Sequence, residues 1–119
     1  MSILFVYGSL KLGQSAHGFL EEYNGVYLRE AVSDSRYHIY RVGWFPGMVI
    51  NEDLQGGIHG ELYQVNDKCL EALDRYEGVP SLFCRDQIVL DDGSSVIAYR
   101  YVKSISGCKR FENGIWDAK

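Results

Sequence analysis

Short apolar runs, each cut off by a glycine or a turn pair, are what most limits the folds open to this chain. Ile3–Tyr7 is β-branched and aromatic and stops at Gly8, which reads as a buried strand running into a glycine turn. Val26–Leu28, Tyr37–Tyr40 and Gly47–Ile50 are further strand candidates, punctuated by Asp34-Ser35 and by Gly43-Trp44-Phe45-Pro46. Another run, Ile58–Val65, opens after Gln55-Gly56-Gly57. Cys84–Leu90 and Val96–Val102 flank Asp91-Asp92-Gly93-Ser94, a strong hairpin signal. Helical patterns are confined to Gln14–Tyr23 and Asp67–Tyr76. So many strands against two helices exclude a repeating βαβ plan and predict an α+β fold with a curled or closed sheet.

A chain of 119 residues is enough for one domain with one core, and the polar stretch from Lys109 is expected to be loosely held. With 46% hydrophobic and 24% charged residues, disorder is excluded. The net charge of −4 and the lack of any basic run argue against nucleic acid or an anionic membrane as partner. The opening MSILFVYGSLK lacks the basic region and long apolar core of a signal peptide, and no apolar run is long enough to span a bilayer. Cys69, Cys84 and Cys108 are odd in number and have no CxxC spacing, which fits unpaired thiols in a reducing, cytoplasmic setting.

Gly8, Gly13 and Ser15 stand at the spacing of a phosphate-binding loop, but Gln14 occupies the position where such a loop needs lysine. Without that cation an acidic protein has little to offer a polyphosphate. What survives is the turn Tyr7-Gly8-Ser9-Leu10. Glycine after a buried strand lets the backbone turn sharply, at positive φ if required, and successive N–H groups there can converge on one small oxygen. A plain strand-ending turn explains the same residues.

The helix pattern at Asp67–Tyr76 raises a sharper question. Asn66 suits the N-cap, Val65 can staple to Leu70, and Gly78 and Pro80 are stop signals. At about 100° per residue, Cys69, Leu70, Ala72, Leu73 and Tyr76 share one half of the helix. Lys68, Glu71 and Arg75 take the other, with Asp74 at the margin, where substitution is expected to be nearly silent. Glu77 falls between Leu70 and Leu73, on the apolar side. A carboxyl so placed, at the negative end of the helix dipole, has a raised pKa and the makings of a general base. If the helix ends before Glu77, the side chain is free to reach water instead.

Tyr7-Gly8-Ser9-Leu10 after an N-terminal strand, and Leu73-Asp74-Arg75-Tyr76-Glu77-Gly78 closing a helix, together resemble the γ-glutamylcyclotransferase-like family. Its short avirulence-induced-gene-like and γ-glutamylamine cyclotransferase branch is the nearest in length. Phe45-Pro46-Gly47-Met48-Val49, Gly57–Tyr63 and Val96–Val102 resemble further family strands in the same order, so the resemblance runs from Ile3 to Val102. It implies a small mixed β-barrel with flanking helices. It implies an enzyme in which the α-amine of a γ-glutamyl group attacks its own γ-carbonyl, closing 5-oxoproline and releasing an amine or amino acid. Glu77 matches the family's catalytic glutamate, and Tyr7, Gly8, Ser9 and Leu10 match its substrate cradle. No cofactor or metal is implied. Phe83 departs from the pattern, since many members carry tyrosine two residues before the arginine matched by Arg85.

His17, His38 and His59 lack the spacing of a metal site, and Cys84 has no nucleophile-elbow residues around it. Of nine tyrosines, Tyr99 and Tyr101 share one strand face that could line a cavity, Tyr101 being the stronger candidate. The rival to an enzyme is a protein of the same fold that binds a γ-glutamyl compound or amide without turning it over.

Overall fold

The computed structural model describes residues 1–14 and 16–116. Ser15, the last residue of the phosphate-loop spacing, and positions 117–119 of the polar tail lie outside them. In chain order the elements are β1 (Ser2–Val6), α1 (Gly18–Glu22), β2 (Val26–Val32), β3 (Tyr37–Val42), β4 (Phe45–Ile50), β5 (His59–Val65), α2 (Asp67–Glu77), β6 (Phe83–Val89), β7 (Ser95–Tyr101) and β8 (Lys109–Arg110).

The first strand is apolar at successive positions because it is covered on both faces. It is central in a five-stranded sheet ordered β2-β5-β1-β7-β6, antiparallel to β5 and parallel to β7. Leu4 and Val6 face one way, into a core shared with Leu70 and Leu73 of α2. Phe5 and Tyr7 face the other, into a core shared with Ile39 and Met48 of a three-stranded sheet ordered β4-β3-β8. The α+β class expected from the sequence is therefore the class found. Its strands form two ladders joined by side chains rather than one closed barrel among the described residues.

Local chemistry explains where elements begin and end. The Asn66 side chain accepts from Cys69 N at 2.8 Å, capping α2, and Gly78 closes it at φ 69°. The helix includes Glu77 as its last residue, so its apolar phase holds to the end. By contrast α1 is shorter than the predicted Gln14–Tyr23. The Gln14 and Ala16 amides turn back onto Lys11 O and Ser9 O, and His17 supplies no side-chain cap.

Strand β2 runs beyond the predicted Leu28 because it is a sheet edge, where Arg29 and Glu30 stay solvated, and a bulge lies between Tyr27 and Arg29. Pro46 is tolerated because β4 lies at the edge of its ladder. Gly47 lets β4 approach β7, since a Cβ there would stand 3.0 Å from Tyr101 Cβ.

The tail differs from expectation as far as residue 116. Strand β8 pairs with β3, His59 N donates to Gly114 O at 2.9 Å, and Trp116 is buried beneath the Arg41 guanidinium, 4.8 Å from its ring centroid. Aromatic burial outweighs the polarity of the neighbouring sequence.

Because Leu73 is 0% exposed at the contact between α2 and the sheet, Leu73→Ala is expected to cost about 2–5 kcal/mol in denaturant unfolding.

Candidate active site

A cavity of ≈ 250 Å³ opens where β1, β4, β7 and the C-terminal end of α2 meet. That is smaller than the roughly 300–1,000 Å³ of drug-sized sites, so it suits a compact substituent. Tyr7, Gly8, Ser9, Leu10 and Glu77, separated by almost seventy positions in sequence, all line it. Phe45, Pro46, Leu82 and Phe83 supply apolar wall, and Tyr76 and Tyr99 complete the polar lining.

The turn after β1 is held from outside the cavity. Gly8 O accepts from Lys11 N at 3.0 Å, Ser9 O from Ala16 N at 2.8 Å, and Leu10 O from His17 Nδ1 at 2.9 Å. Because a carbonyl only accepts, His17 carries its proton on Nδ1 in this contact. With the three carbonyls occupied, the N–H groups of Gly8, Ser9 and Leu10 have no acceptor among the described residues. They form a set of donors able to meet an oxygen ligand. Gly8 does not have positive φ; it is glycine because a Cβ would overlap Pro46 Cγ. The reason for this glycine is thus a close approach between two strands, not the left-handed backbone the sequence allowed.

Tyr7 itself is a structural member of the cradle. Its buried phenol donates to Tyr99 O at 2.6 Å and accepts from Met48 N at 3.3 Å. Burial, followed by the charge of Glu77, holds its pKa well above the ordinary phenol value, so it stays protonated.

Glu77 occupies the half-buried end of α2 with no hydrogen-bond or ion-pair partner among the described residues. Burial pushes its pKa from 4.5 up to about 7. A carboxyl in that range can accept a proton and return it near neutral pH. The helical phase turns Glu77 inward, as one of the two sequence readings had it.

Asp74, three residues earlier, has the opposite surroundings. It accepts from Tyr99 Oη at 2.7 Å and pairs with Arg85 at 2.8 Å. The position read as marginal on the helix is engaged by partners: this carboxylate ties a cavity-lining tyrosine to α2. Tyr99 also points its hydroxyl toward Leu70 O at 3.2 Å, and its pKa is raised by burial and then by the Asp74 hydrogen bond. The cavity tyrosine on β7 is therefore Tyr99. Tyr101, the stronger sequence candidate, packs behind the lining, 5.4 Å from the Phe83 ring and 6.1 Å from Phe45. Sequence reasoning missed Asp74, and also Tyr76, whose hydroxyl stands 3.4 Å from Ser9 Oγ. The signal available was position alone: Tyr76 precedes Glu77, and Asp74 lies one turn before it.

The remaining candidates lie elsewhere. His38 is buried with Nε2 2.9 Å from Asp53 and Nδ1 3.1 Å from Arg110, while His59 is exposed. All three cysteines are free. No group of three metal-ligating side chains and no helix long and apolar enough to cross a membrane occurs among the described residues.

An α+β domain with a glycine turn facing an inward helix-end glutamate defines a class of small proteins with a compact polar-ended pocket. This chain belongs to the AIG2-like γ-glutamyl cyclotransferase family, whose model matches residues 4–118. It is 30% identical over 113 residues to YtfP, a γ-glutamylcyclotransferase family protein of Escherichia coli K12, covering 95% of this chain and 94% of that one. A crystal structure of a uropathogenic E. coli-specific protein superimposes with TM-score 0.86 at 24% identity, covering 97% of this chain and 91% of that one. The mouse AIG2-like protein superimposes with TM-score 0.81 at 21% identity, covering 98% and 88%. These last two likenesses concern the fold.

Two outcomes follow from the contrast between the carboxylates. Asp74→Ala leaves Tyr99 Oη and Arg85 without their partner and is expected to cost about 1–3 kcal/mol in denaturant unfolding. For Glu77, the folded pKa near 7 lies above the unfolded 4.5, so the folded state binds more protons between them. Stability is then highest below about 4.5 for this group and falls as pH rises through 7. The stability difference between Glu77→Gln and wild type should therefore grow from pH 5 to pH 8 and level off above; a pH-independent difference would contradict the raised pKa.

Proposed function

We propose that this protein is a γ-glutamyl cyclotransferase that cleaves γ-glutamyl amines or γ-glutamyl amino acids to 5-oxoproline and the free amine. The observation that carries this reading is one cavity holding both an unpaired carboxyl of pKa about 7 and a turn of unpaired N–H donors. Membership of the family supports the reaction type.

In this reading the substrate's α-amine nitrogen attacks its γ-carbonyl carbon, forming the ring C–N bond. Glu77 takes a proton from the attacking amine and delivers it to the departing nitrogen as the amide C–N bond breaks. The sum is an intramolecular acyl transfer with no water and no external co-reactant. Charge developing on the carbonyl oxygen is met by the amides of Gly8, Ser9 and Leu10, which are rigid and need no reorganisation. Because nucleophile and electrophile share one molecule, the protein's task is to hold them close and screen them from solvent. Phe45, Pro46, Leu82 and Phe83 provide that screen. Phe83, where relatives often have tyrosine, offers no phenol, so the reading gives this position packing and no proton.

The test is turnover of a γ-glutamyl amide, followed by 5-oxoproline release. Glu77→Gln keeps shape and cannot take the proton, so kcat should fall about a hundredfold or more while KM changes little. In the wild type, kcat/KM should lose activity below an apparent pKa near 7, since the base must be ionised. Full activity in Glu77→Gln would refute the assignment.

A further inference from the structure

The hydroxyls lining the cavity are not equivalent. Tyr7 Oη is engaged twice by backbone, and Tyr99 Oη is directed at Leu70 O and Asp74. That leaves Ser9 Oγ and Tyr76 Oη, which meet only each other among the described residues, at 3.4 Å. This is longer than the roughly 2.5–3.0 Å of a good hydroxyl pair, so each retains hydrogen-bonding capacity for a third group. Both lie at the open side: Ser9 is half-buried and Tyr76 is 46% exposed, its ring braced 4.7 Å from that of Phe19. The lining holds no cation, and Glu77 is its sole charged residue.

A γ-glutamyl group brings three polar parts. Its amine needs an acceptor, which Glu77 is. Its reacting carbonyl needs rigid donors, which the Gly8–Leu10 amides are. Its α-carboxylate needs donors too, and with no cation in the lining it is best placed where some hydration survives. The hydroxyl pair at the mouth meets both conditions.

Resting on the functional reading above, we propose that Tyr76 and Ser9 form a two-hydroxyl clamp for the substrate's α-carboxylate, making Tyr76 a specificity-determining residue. The clamp selects for a glutamyl group over an otherwise equal chain lacking the carboxylate. It acts on binding, because the carboxylate does not change charge during ring closure. A neutral clamp also avoids a permanent cation beside Glu77, which would draw its carboxyl back toward the ordinary pKa and weaken it as a base.

Two matched pairs test this. 5-Oxoproline and 2-pyrrolidone differ only by the carboxylate, as do a γ-glutamyl amide and the 4-aminobutanoyl amide of the same amine. By calorimetry the wild type should bind 5-oxoproline at least about tenfold more tightly than 2-pyrrolidone, as charge-assisted hydrogen bonds imply. Tyr76→Phe, which keeps the ring against Phe19, and Ser9→Ala should each reduce that ratio severalfold, leaving 2-pyrrolidone binding unchanged. In turnover, Tyr76→Phe should raise KM for the γ-glutamyl amide with kcat and its pH profile intact. A wild-type ratio near one, a ratio unchanged in both variants, or an equal loss for both ligands overturns the clamp. A fall in kcat at constant KM overturns it as well, since that would place the hydroxyls on the reacting carbonyl. If the binding ratio behaves as expected but no γ-glutamyl amide yields 5-oxoproline, the clamp stands and the cyclotransferase reading fails.

Discussion

The Tyr7 phenol lies where the two sheets meet, donating to Tyr99 O at 2.6 Å and accepting from Met48 N at 3.3 Å. One side chain thus joins the end of β1 to β7 in its own sheet and to β4 in the other. A second phenol, that of Tyr37 on β3, accepts from Val89 N of β6 at 3.1 Å, and Phe5, Ile39 and Met48 fill the space between the sheets. A buried hydroxyl with both functions satisfied resists displacement, since breaking either bond leaves a desolvated partner. The residues after Tyr7 inherit its position. Gly8 lies against Pro46 of β4, and the carbonyls of Gly8, Ser9 and Leu10 are tied to Lys11, Ala16 and His17. The cavity is the space that remains between that fixed turn and the end of α2.

Against this frame, the helix end is arranged at a cost to stability. Gly78 supplies the left-handed residue that closes α2, and the helix holds its phase through Glu77. Leu70 and Leu73, two turns and one turn before it, anchor that phase in the core. The carboxyl is therefore carried inward by the burial of its apolar neighbours rather than by any attraction of its own. A solvated carboxylate one position away would be more stable and would lack the desolvation that raises the pKa of Glu77. The same desolvation that weakens the fold tunes the group.

Much of this was legible in the sequence, and the reasons are local. The apolar run of β1, the Asp91–Ser94 turn and the Asn66 and Gly78 caps each depend on residues within a few positions. The inward phase of Glu77 needed only the helical repeat, although its proximity to Gly8 and Ser9 came from the family resemblance and not from periodicity. What was not legible depends on partners distant in the chain. Asp74 looked marginal on its helix because Tyr99 and Arg85, its two partners, arrive from β7 and β6. Tyr99 and Tyr101 are indistinguishable by alternation, yet Tyr101 is the one packed against Gly47 of β4 and Tyr99 the one that lines the cavity. Trp116 drew the polar tail inward through Arg41, a contact no local pattern announces.

Asp74 and Glu77 then show how one helical turn can hold two carboxyls in different surroundings. Asp74 meets a guanidinium at 2.8 Å and a phenol at 2.7 Å. Glu77 has neither and is pushed to about 7 by burial. One carboxyl is tied into the fold by its partners, and the other is left unpaired at the cavity. This division explains why the Asp74 partners come from strands rather than from α2 itself: a cation supplied by the helix's inner face would lie in the cavity, pair with Glu77 and lower its pKa. Placing Arg85 on β6, outside the lining, keeps the compensating charge on Asp74 and leaves the cavity without a cation.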